Sequence, residues 1–170
     1  MLSIINNTLY EKFLYNRIFK KNWKSSHDLI SYLEKKKFNK IGQGWYSTVF
    51  SLPNSSYVIK INSGDFDYGY AFYIDICLKY YNIHLPKIIK YKPYNFNNNP
   101  FYFVLLPKYK KCNNDIDIDD IKNNLYSYCP VLETIIDPSL YVYDICKENL
   151  LIDDNNNVIL ADIILTTRNR

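Results

Sequence analysis

The stretch DICKENLLIDDNNNVILAD, residues 144–162, decides the interpretation of the whole chain. Within it, Asn149 follows Asp144 by five residues, and Asp162 follows Asn149 by thirteen. Two apolar runs in its second half flank a turn rich in Asn and Asp, which predicts a β-hairpin. One interpretation is that the acidic residues are incidental to this hairpin. The other is that two carboxylates and one amide gather oxygen atoms of the kind that Mg²⁺ prefers.

A glycine motif lies upstream, between two predicted strands, in the segment Gly42-Gln43-Gly44-Trp45-Tyr46-Ser47-Thr48-Val49. Glycines in a hairpin allow a tight turn over phosphate groups, with backbone N–H groups directed toward the anion. The motif is not a dinucleotide-binding fingerprint, because no helix follows it, and it lacks the Gly-Lys-Ser/Thr of a P-loop. Taken alone, it is better interpreted as an ordinary hairpin turn.

A lysine stands within an apolar strand eleven residues after Val49, in the run Val58-Ile59-Lys60-Ile61. Burial of an unpaired ammonium group is costly. Lys60 is therefore either an ordinary outward-facing lysine on an alternating strand or a cation that meets an anionic ligand, such as phosphates below the glycine hairpin. The strand alone does not distinguish these two interpretations.

The N-terminal half predicts helices followed by a sheet. Residues 8–36 indicate two helices, and Ser26 is the expected cap of the second. Three antiparallel strands and one further helix are expected at residues 38–41, 48–52, 57–61 and 67–81. The apolar stripe of the first helix is expected to consist of Leu9, Phe13, Ile18 and Phe19.

The C-terminal half predicts a more mixed pattern, and the chain as a whole reads as α+β. Two strands at residues 87–92 and 100–106 are expected to be separated by a turn at residues 93–99. A polar loop and a short helix then follow at residues 109–120 and 121–128. Three apolar segments surround the last turns, at residues 140–144, 150–152 and 158–160.

Taken in order, the glycine hairpin, Lys60 and the stretch from Asp144 to Asp162 resemble the protein kinase superfamily. Its catalytic loop runs Asp, four residues, Asn, and a hairpin then leads to a metal-binding Asp. The resemblance implies a reduced protein-kinase-like fold, with an antiparallel N-lobe sheet, one helix and a truncated C-lobe. The expected segments are an N-terminal helical extension at 1–37, the N-lobe at 38–108 and the minimal C-lobe at 109–170.

The resemblance also implies that ATP and Mg²⁺ are bound and that the key residues converge around a triphosphate. Asp144 would orient or deprotonate the acceptor hydroxyl, while Asn149 and Asp162 would hold the metal. The catalytic lysines would be Lys60 and Lys147. Nucleotide-binding roles would fall on Gly42, Gly44, Ser47, Val49, Lys60, Asp75, Leu106 and Lys108.

Two of these implied roles have alternatives. Asp75 would pair with Lys60 from the helix that follows the lysine strand, with Asp65 and Asp67 as rivals. The Leu106 carbonyl and the Lys108 N–H would bond the adenine, and Leu105 would border it. A solvent-edge strand ended by a proline explains that stretch equally well.

The sequence departs from the kinase pattern at several points. Val142-Tyr143 replaces the usual His-Arg, Cys146 replaces the catalytic-loop lysine with Lys147 one position later, and Ile163-Ile164 replaces Phe-Gly. Because the sequence stops at Arg170, an activation segment and a substrate-binding helical lobe are not expected. Three functions stay open: a Ser/Thr-type protein kinase, a pseudokinase that acts as a nucleotide-binding or structural interaction module, and a small-molecule phosphotransferase.

The reduced layout is similar to short kinase-like proteins of tailed phages and some large DNA viruses, which share a motif such as Leu85-Pro86-Lys87-Ile88. The resemblance implies host cytoplasm and a protein substrate or docking partner, for which residues 8–36 are the candidate element. A net charge of +4 and a pI near 8.7 do not indicate a specific nucleic-acid partner.

No signal peptide, membrane span or clustered zinc ligands are expected, and the four cysteines are expected to be free thiols. The sequence does not indicate an oligomeric state.

Overall fold

Helices and antiparallel strands make up the chain, which is an α+β protein as the sequence predicted. The computed structural model describes residues 2–63, 65–96, 99–112 and 116–167. The chain divides into two compact units. The first comprises residues 1–66 and 90–105, and the second comprises residues 67–89 and 106–170. The first unit therefore contains the N-terminal helices and most of the large sheet.

Two helices open the first unit, α1 at Leu2–Lys20 and α2 at Ser26–Lys35. The α2 cap is Ser25, one residue earlier than predicted, because its hydroxyl accepts the Asp28 N–H at 3.1 Å. The predicted stripe of α1 is wrong at Leu9 and Phe13, which are 61% and 64% exposed. The buried face lies on the opposite side of the helix and is formed by Leu14, Tyr15 and Ile18.

A five-stranded antiparallel sheet forms the rest of the first unit, in the order β1-β2-β3-β5-β4. Its strands are β1 Asn39–Gln43, β2 Ser47–Ser51, β3 Tyr57–Asn62, β4 Lys90–Phe96 and β5 Asn99–Pro107. The turn predicted at residues 93–99 is wrong, because β4 continues through Pro93, which pairs with Tyr102. A strand at the sheet edge tolerates a proline, since one side of it makes no ladder hydrogen bonds. Asn97 and Asn98 lie outside the described residues.

Polar contacts hold α1 against the sheet side of the first unit. The Lys92 ammonium donates to the Phe19 and Lys21 carbonyls at 2.8 and 3.1 Å, which satisfies acceptors at the end of α1. The Tyr15 and Ser55 hydroxyls are 2.9 Å apart. The core beneath them is apolar and includes Ile18, Leu29, Leu33, Phe50, Ile59, Ile61 and Phe103.

The second unit begins with α3, Tyr68–Lys79, whose first turn is capped by the Asp67 carboxylate. Short helices follow at α4 Ile118–Asn123, α5 Leu125–Tyr128 and α6 Val131–Ile135, the last of which the sequence pattern had not predicted. The loop predicted at 109–120 contains β6, Lys110–Lys111, and the start of α4, whereas residues 113–115 lie outside the described residues. Four further strands are β7 Tyr141–Tyr143, β8 Leu150–Ile152, β9 Val158–Leu160 and β10 Ile164–Thr166.

These strands form two small sheets, one of β6-β8-β9 and one of β7-β10. Pairing of β8 with β9 confirms the hairpin predicted from the sequence. All four cysteines are free thiols. Within the described residues, none of the helices is both long and apolar enough to span a bilayer.

Candidate functional site

The β8–β9 hairpin provides the frame of the candidate site in the second unit. Leu150 pairs with Leu160, and Ile152 pairs with Val158. The Asp153 carboxylate accepts the N–H groups of Asn155 and Asn157 at 2.9 and 2.8 Å, so this acid builds the turn. Burial acts to raise the pKa of Asp153, but hydrogen bonds from the Asn157 side-chain amide and from these two N–H groups together hold it below its ordinary value.

Asp144 and Asn149 are joined directly. The Asn149 amide nitrogen donates to the Asp144 carbonyl and to its carboxylate Oδ2, both at 2.9 Å. A 3₁₀ turn at Lys147–Asn149 brings the two residues together, with the Asn149 N–H on the Cys146 carbonyl at 3.1 Å. Both amide hydrogens are thus directed at Asp144, and the amide oxygen is the atom of Asn149 that would bind a cation.

Asp162 is held beside this pair by hydrogen bonds of its two chain neighbours. The Ala161 N–H donates to the Asn149 carbonyl, and the Asp144 N–H donates to the Ile163 carbonyl, each at 2.8 Å. Asp162 is half-buried, and its Oδ1 atom is shielded from solvent. The structure therefore places the main chain of Asp162 next to Asp144 and Asn149, whose side chains are in direct contact.

The segment after Asp162 forms a strand. Ile164 pairs with Tyr143 and Leu165 pairs with Val142, so that β10 lies antiparallel to the strand that leads into Asp144. Ile163 and Ile164 are fully buried. The apolar residues that replace the expected Phe-Gly thus serve as core residues here.

Other predicted residues of the second unit lie in more exposed positions. Lys147 is exposed on the 3₁₀ turn, Asp75 is exposed on α3, and Lys108 is exposed just beyond β5. Leu106 is buried in β5. Burial raises the pKa of the Cys146 thiol, which occupies the position of the expected catalytic-loop lysine. The rival acid Asp67 is the N-cap of α3, which gives it a structural role.

Lys60 lies on β3 of the first unit, which also contains the glycine hairpin. Gly42 pairs with Val49 across β1 and β2, and Val49 pairs with Lys60 across β2 and β3. Directly opposed residues project to the same face of a sheet, so these three positions form one cross-strand row. Lys60 is only 8% exposed, which excludes the ordinary outward-facing lysine.

The hairpin turn itself is closed by the Gly44 N–H, which donates to the Ser47 carbonyl at 2.8 Å. This N–H group is therefore engaged within the turn. The sequence analysis had instead expected the N–H groups of this motif to be directed toward an anion. Gly42 is close to Val49, where an added Cβ would make ordinary contact at 3.7 Å. Trp45 stands at the tip of the turn and is 89% exposed.

Asn62 is a residue of this hairpin that the sequence analysis missed. It is fully buried, and its amide nitrogen donates to the carbonyls of Tyr46 and Asp65 at 2.9 and 2.8 Å. The Ser63 N–H reaches the same Tyr46 carbonyl at 3.0 Å. Asn62 thus fixes the hairpin tip to the end of β3. The sequence did carry one signal for it. Asn62 follows Lys60 by two residues at the end of the predicted strand, so the two side chains project to the same face of the sheet.

Asn149 and Asp162 offer one amide and one carboxylate oxygen, a donor set that fits Mg²⁺. Within the described residues, no group of three or more His, Cys, Asp and Glu side chains is arranged to hold a metal ion. A metal at Asn149 and Asp162 would therefore complete its coordination with phosphate and water oxygens, as Mg²⁺ commonly does.

No protein-family model and no curated protein matches this sequence. Among the solved structures similar to this chain is the crystal structure of Rad53 1–466 in complex with AMP-PNP. The two chains are 15% identical in sequence, with a TM-score of 0.47. The match covers 80% of this chain and spans 42% of the Rad53 chain, less than half of its length.

Proposed function

We propose that this chain is a reduced protein-kinase-like phosphotransferase of the Ser/Thr type, which binds ATP with Mg²⁺. The observation that carries the proposal is the arrangement of Asp144, Asn149 and Asp162. The first two share side-chain hydrogen bonds, and main-chain bonds on both sides of Asp162 hold it beside them. Phosphoryl transfer depends mainly on positioning and charge neutralisation, which such a constellation provides.

In this proposal, each residue of the constellation has a distinct task. The Asn149 amide occupies Oδ2 of Asp144, which leaves Oδ1 to orient the acceptor hydroxyl and take its proton. The hydroxyl oxygen then bonds to the γ-phosphorus of ATP as the bond to the β-phosphate oxygen breaks. The Asn149 amide oxygen and the Asp162 carboxylate would hold Mg²⁺, which supplies charge neutralisation at the phosphates.

The first unit contributes the nucleotide-gripping residues of the proposal. Lys60 would contact the phosphates, and the hairpin with Gly42, Gly44, Ser47 and Val49 would cover them. The nearly complete burial of Lys60 in line with Val49 and Gly42 supports this assignment. In the second unit, Lys147 would act as the remaining catalytic lysine.

Two further assignments complete the nucleotide site. Asp75 would contribute its acid, and Leu106 and Lys108 would bond the adenine through main-chain groups.

A pseudokinase, a nucleotide-binding or structural interaction module without phosphotransfer, is the second candidate. The pairing of β10 with β7 favours it, because the segment after Asp162 is a buried strand without a glycine. Either candidate would act on or dock with a protein. The resemblance to phage and viral proteins adds a viral origin and the host cytoplasm to the proposal.

The test uses purified protein, Mg²⁺ and labelled ATP. Mg-ATP at 100 times its Kd should stabilise the protein by about 2.7 kcal/mol in thermal unfolding. Phosphate transfer to the protein itself or to a cell lysate should disappear in Asp144→Asn. It should persist in the control Asp154→Asn, whose acid is 93% exposed and forms a surface ion pair with Lys110.

The outcomes separate the candidates. Stabilisation by Mg-ATP without any transfer favours the pseudokinase. The absence of stabilisation at millimolar ATP rejects nucleotide binding altogether.

A further inference from the structure

The outer edge of β9 is bonded to side-chain and loop groups. One edge of this strand pairs with β8. On the other edge, the His84 ring Nδ1 is 2.8 Å from the Val158 carbonyl, and the Leu160 N–H donates to the His84 carbonyl at 2.8 Å. The Tyr73 hydroxyl donates to the Leu160 carbonyl. The α3 helix and the loop after it therefore satisfy main-chain groups that an unpaired edge would leave open.

The same helix lies against the chain beyond Asp162. A Cβ added at Gly69 would lie 2.5 Å from the Ile164 carbonyl oxygen and 2.9 Å from the Leu165 Cα, so α3 and β10 meet backbone to backbone. Tyr70, which follows Gly69, is 1% exposed. Burial raises the pKa of Tyr70 well above its ordinary value, and the nearby negative charge of Asp162 adds to this.

Asp162 is thus flanked on both sides by contacts to α3. Leu160, two residues before it, is held by Tyr73, and Ile164, two residues after it, lies against Gly69. Between them, Ala161 is held from the other direction by the Asn149 carbonyl at 2.8 Å. The main chain that carries Asp162 is therefore fixed between α3 and the loop that contains Asn149.

We propose that Tyr73 is a positioning residue for Asp162, acting through the hydrogen bond from its hydroxyl to the Leu160 carbonyl. The proposal rests on the proposed function of Asp162 as a metal ligand. Tyr73 is fully buried, so its ring fills the core, and a phenylalanine would fill the same space. The hydroxyl adds the anchor, because a buried carbonyl without a donor destabilises the position it occupies.

The variant Tyr73→Phe removes this anchor and the hydrogen bond between the Tyr73 hydroxyl and the Cys77 thiol, while it keeps the ring. Outer residues that orient a metal ligand typically contribute about 10-fold or more to metal affinity. We expect Tyr73→Phe to weaken Mg-ATP binding about 10-fold in calorimetry while leaving ATP binding in the presence of EDTA unchanged. The same variant should speed hydrogen exchange at the N–H groups of Leu160 and Ala161.

Tyr128→Phe is the matched control. It also removes a tyrosine hydroxyl of the second unit, which bonds the exposed Asp120 carboxylate at 3.0 Å, and it keeps the ring contact with His84. This control should retain wild-type Mg-ATP affinity and wild-type exchange at Leu160.

If Tyr73→Phe does not fold, His84→Phe replaces it, because it removes the ring contact with the Val158 carbonyl on the same edge. A smaller loss of the same Mg-dependent affinity is then expected.

The outcomes distinguish the two levels of the proposal. A wild-type protein that does not bind Mg-ATP overturns the proposed function itself. A wild-type protein that binds Mg-ATP, with Tyr73→Phe or its replacement binding equally well, overturns the positioning role alone. An equal loss of affinity with and without Mg²⁺ also overturns it, because that pattern indicates general loosening of the fold.

Discussion

The Asn149 amide donates both of its hydrogen bonds to Asp144, so the charge of this one side chain can be tested without changing its shape. Asn149→Asp removes the donors and sets two half-buried carboxylates against each other. We expect the free energy of unfolding at neutral pH to fall by about 1–3 kcal/mol, as measured by urea titration. Millimolar Mg²⁺ should restore part of the loss if the pair faces a cation site.

The control for this change is Asn155→Asp in the exposed hairpin turn, where only the Asn155 main-chain N–H bonds Asp153. Surface substitutions of this kind usually change stability by less than about 0.5 kcal/mol. Equal stability of Asn149→Asp and the wild type would contradict the observed hydrogen bonds.

Two buried threonines differ only in whether the hydroxyl is satisfied. Thr166 Oγ1 is buried with no hydrogen-bond partner among the described residues, whereas the Thr48 and Ser63 hydroxyls are 2.9 Å apart. Thr166→Val should therefore raise the free energy of unfolding by about 1 kcal/mol, because it removes a desolvated polar group at nearly constant shape. Thr48→Val should lower it by a similar amount. Urea unfolding of both variants checks the pair, and destabilisation by Thr166→Val would count against this account.

Single residues also show what sequence spacing can and cannot predict. Asp144, Asn149 and Asp162 lie in one stretch of the chain, and hydrogen bonds within residues 144–163 place their main chain, so their spacing carried information. Tyr73 and Asn62 were missed because their bonds depend on which elements pack together. The Tyr73 hydroxyl donates to the Leu160 carbonyl, which lies 87 residues away in the chain. No local pattern encodes that partner, and a buried tyrosine in an apolar helix resembles ordinary core.

At the scale of elements, α3 depends on one glycine. Ala is about 1 kcal/mol better than Gly within a helix, so propensity alone favours Gly69→Ala. The added Cβ would nevertheless lie 2.5 Å from the Ile164 carbonyl oxygen, and this neighbour is main chain that cannot rotate away. We expect the clash to prevail and the free energy of unfolding to fall by about 1–3 kcal/mol in urea titration.

Gly44→Ala is the matched control for Gly69→Ala. Its Cβ would have no neighbour closer than 3.9 Å, and the residue is exposed in the hairpin turn. Stability should change by less than about 0.5 kcal/mol. A stabilised Gly69→Ala protein would show that β10 can move away from α3 at little cost.

Element boundaries reflect the same difference between local and long-range information. The strands β1 to β3 and the β8–β9 hairpin were predicted because their turns carry Gly, Pro, Asn and Asp. The β1–β2 turn and the β8–β9 turn are each closed by hydrogen bonds between residues that are three or four positions apart. The predicted strand ended before Pro93, whereas β4 continues through it. Only the sheet order shows that β4 is an edge strand, where a proline is tolerated.

The buried face of α1 was also misassigned. Apolar residues lie on both sides of this helix, and packing alone decides that Ile18 is buried while Leu9 stays exposed. Hydrophobic spacing therefore located the helix without fixing its orientation.

At the scale of the molecule, tyrosine is unusually abundant, with 18 residues in the chain. Several of these side chains are buried, and burial links their ionisation to folding. Burial raises the pKa of Tyr15 to about 12, and it raises the pKa values of Tyr70 and Tyr73 well above the ordinary value. The alkaline stability of the chain should therefore depend on these three hydroxyls.

The sign of the effect follows from the direction of the shifts. Unfolded tyrosine releases its proton near pH 10, whereas the folded protein retains these protons to higher pH. The stability from the raised pKa values is thus fully present below about pH 10 and is lost as the pH rises through the folded values. Burial also raises the pKa values of the Cys77 and Cys129 thiols, so we expect the urea midpoint to start falling above about pH 8 and to fall more steeply near pH 11. Absorbance of tyrosinate should then rise together with the loss of helical circular dichroism.

Tyr70→Phe separates this linkage from general alkaline damage. The variant removes one buried ionisable hydroxyl, so the slope of its unfolding free energy against pH should be smaller than that of the wild type above about pH 10. Tyr81→Phe serves as the control, since the Tyr81 side chain is 93% exposed. Its slope should equal that of the wild type. Identical slopes for all three proteins would mean that the hydroxyl of Tyr70 reaches solvent in the folded state, which contradicts its place in the core beside Asp162.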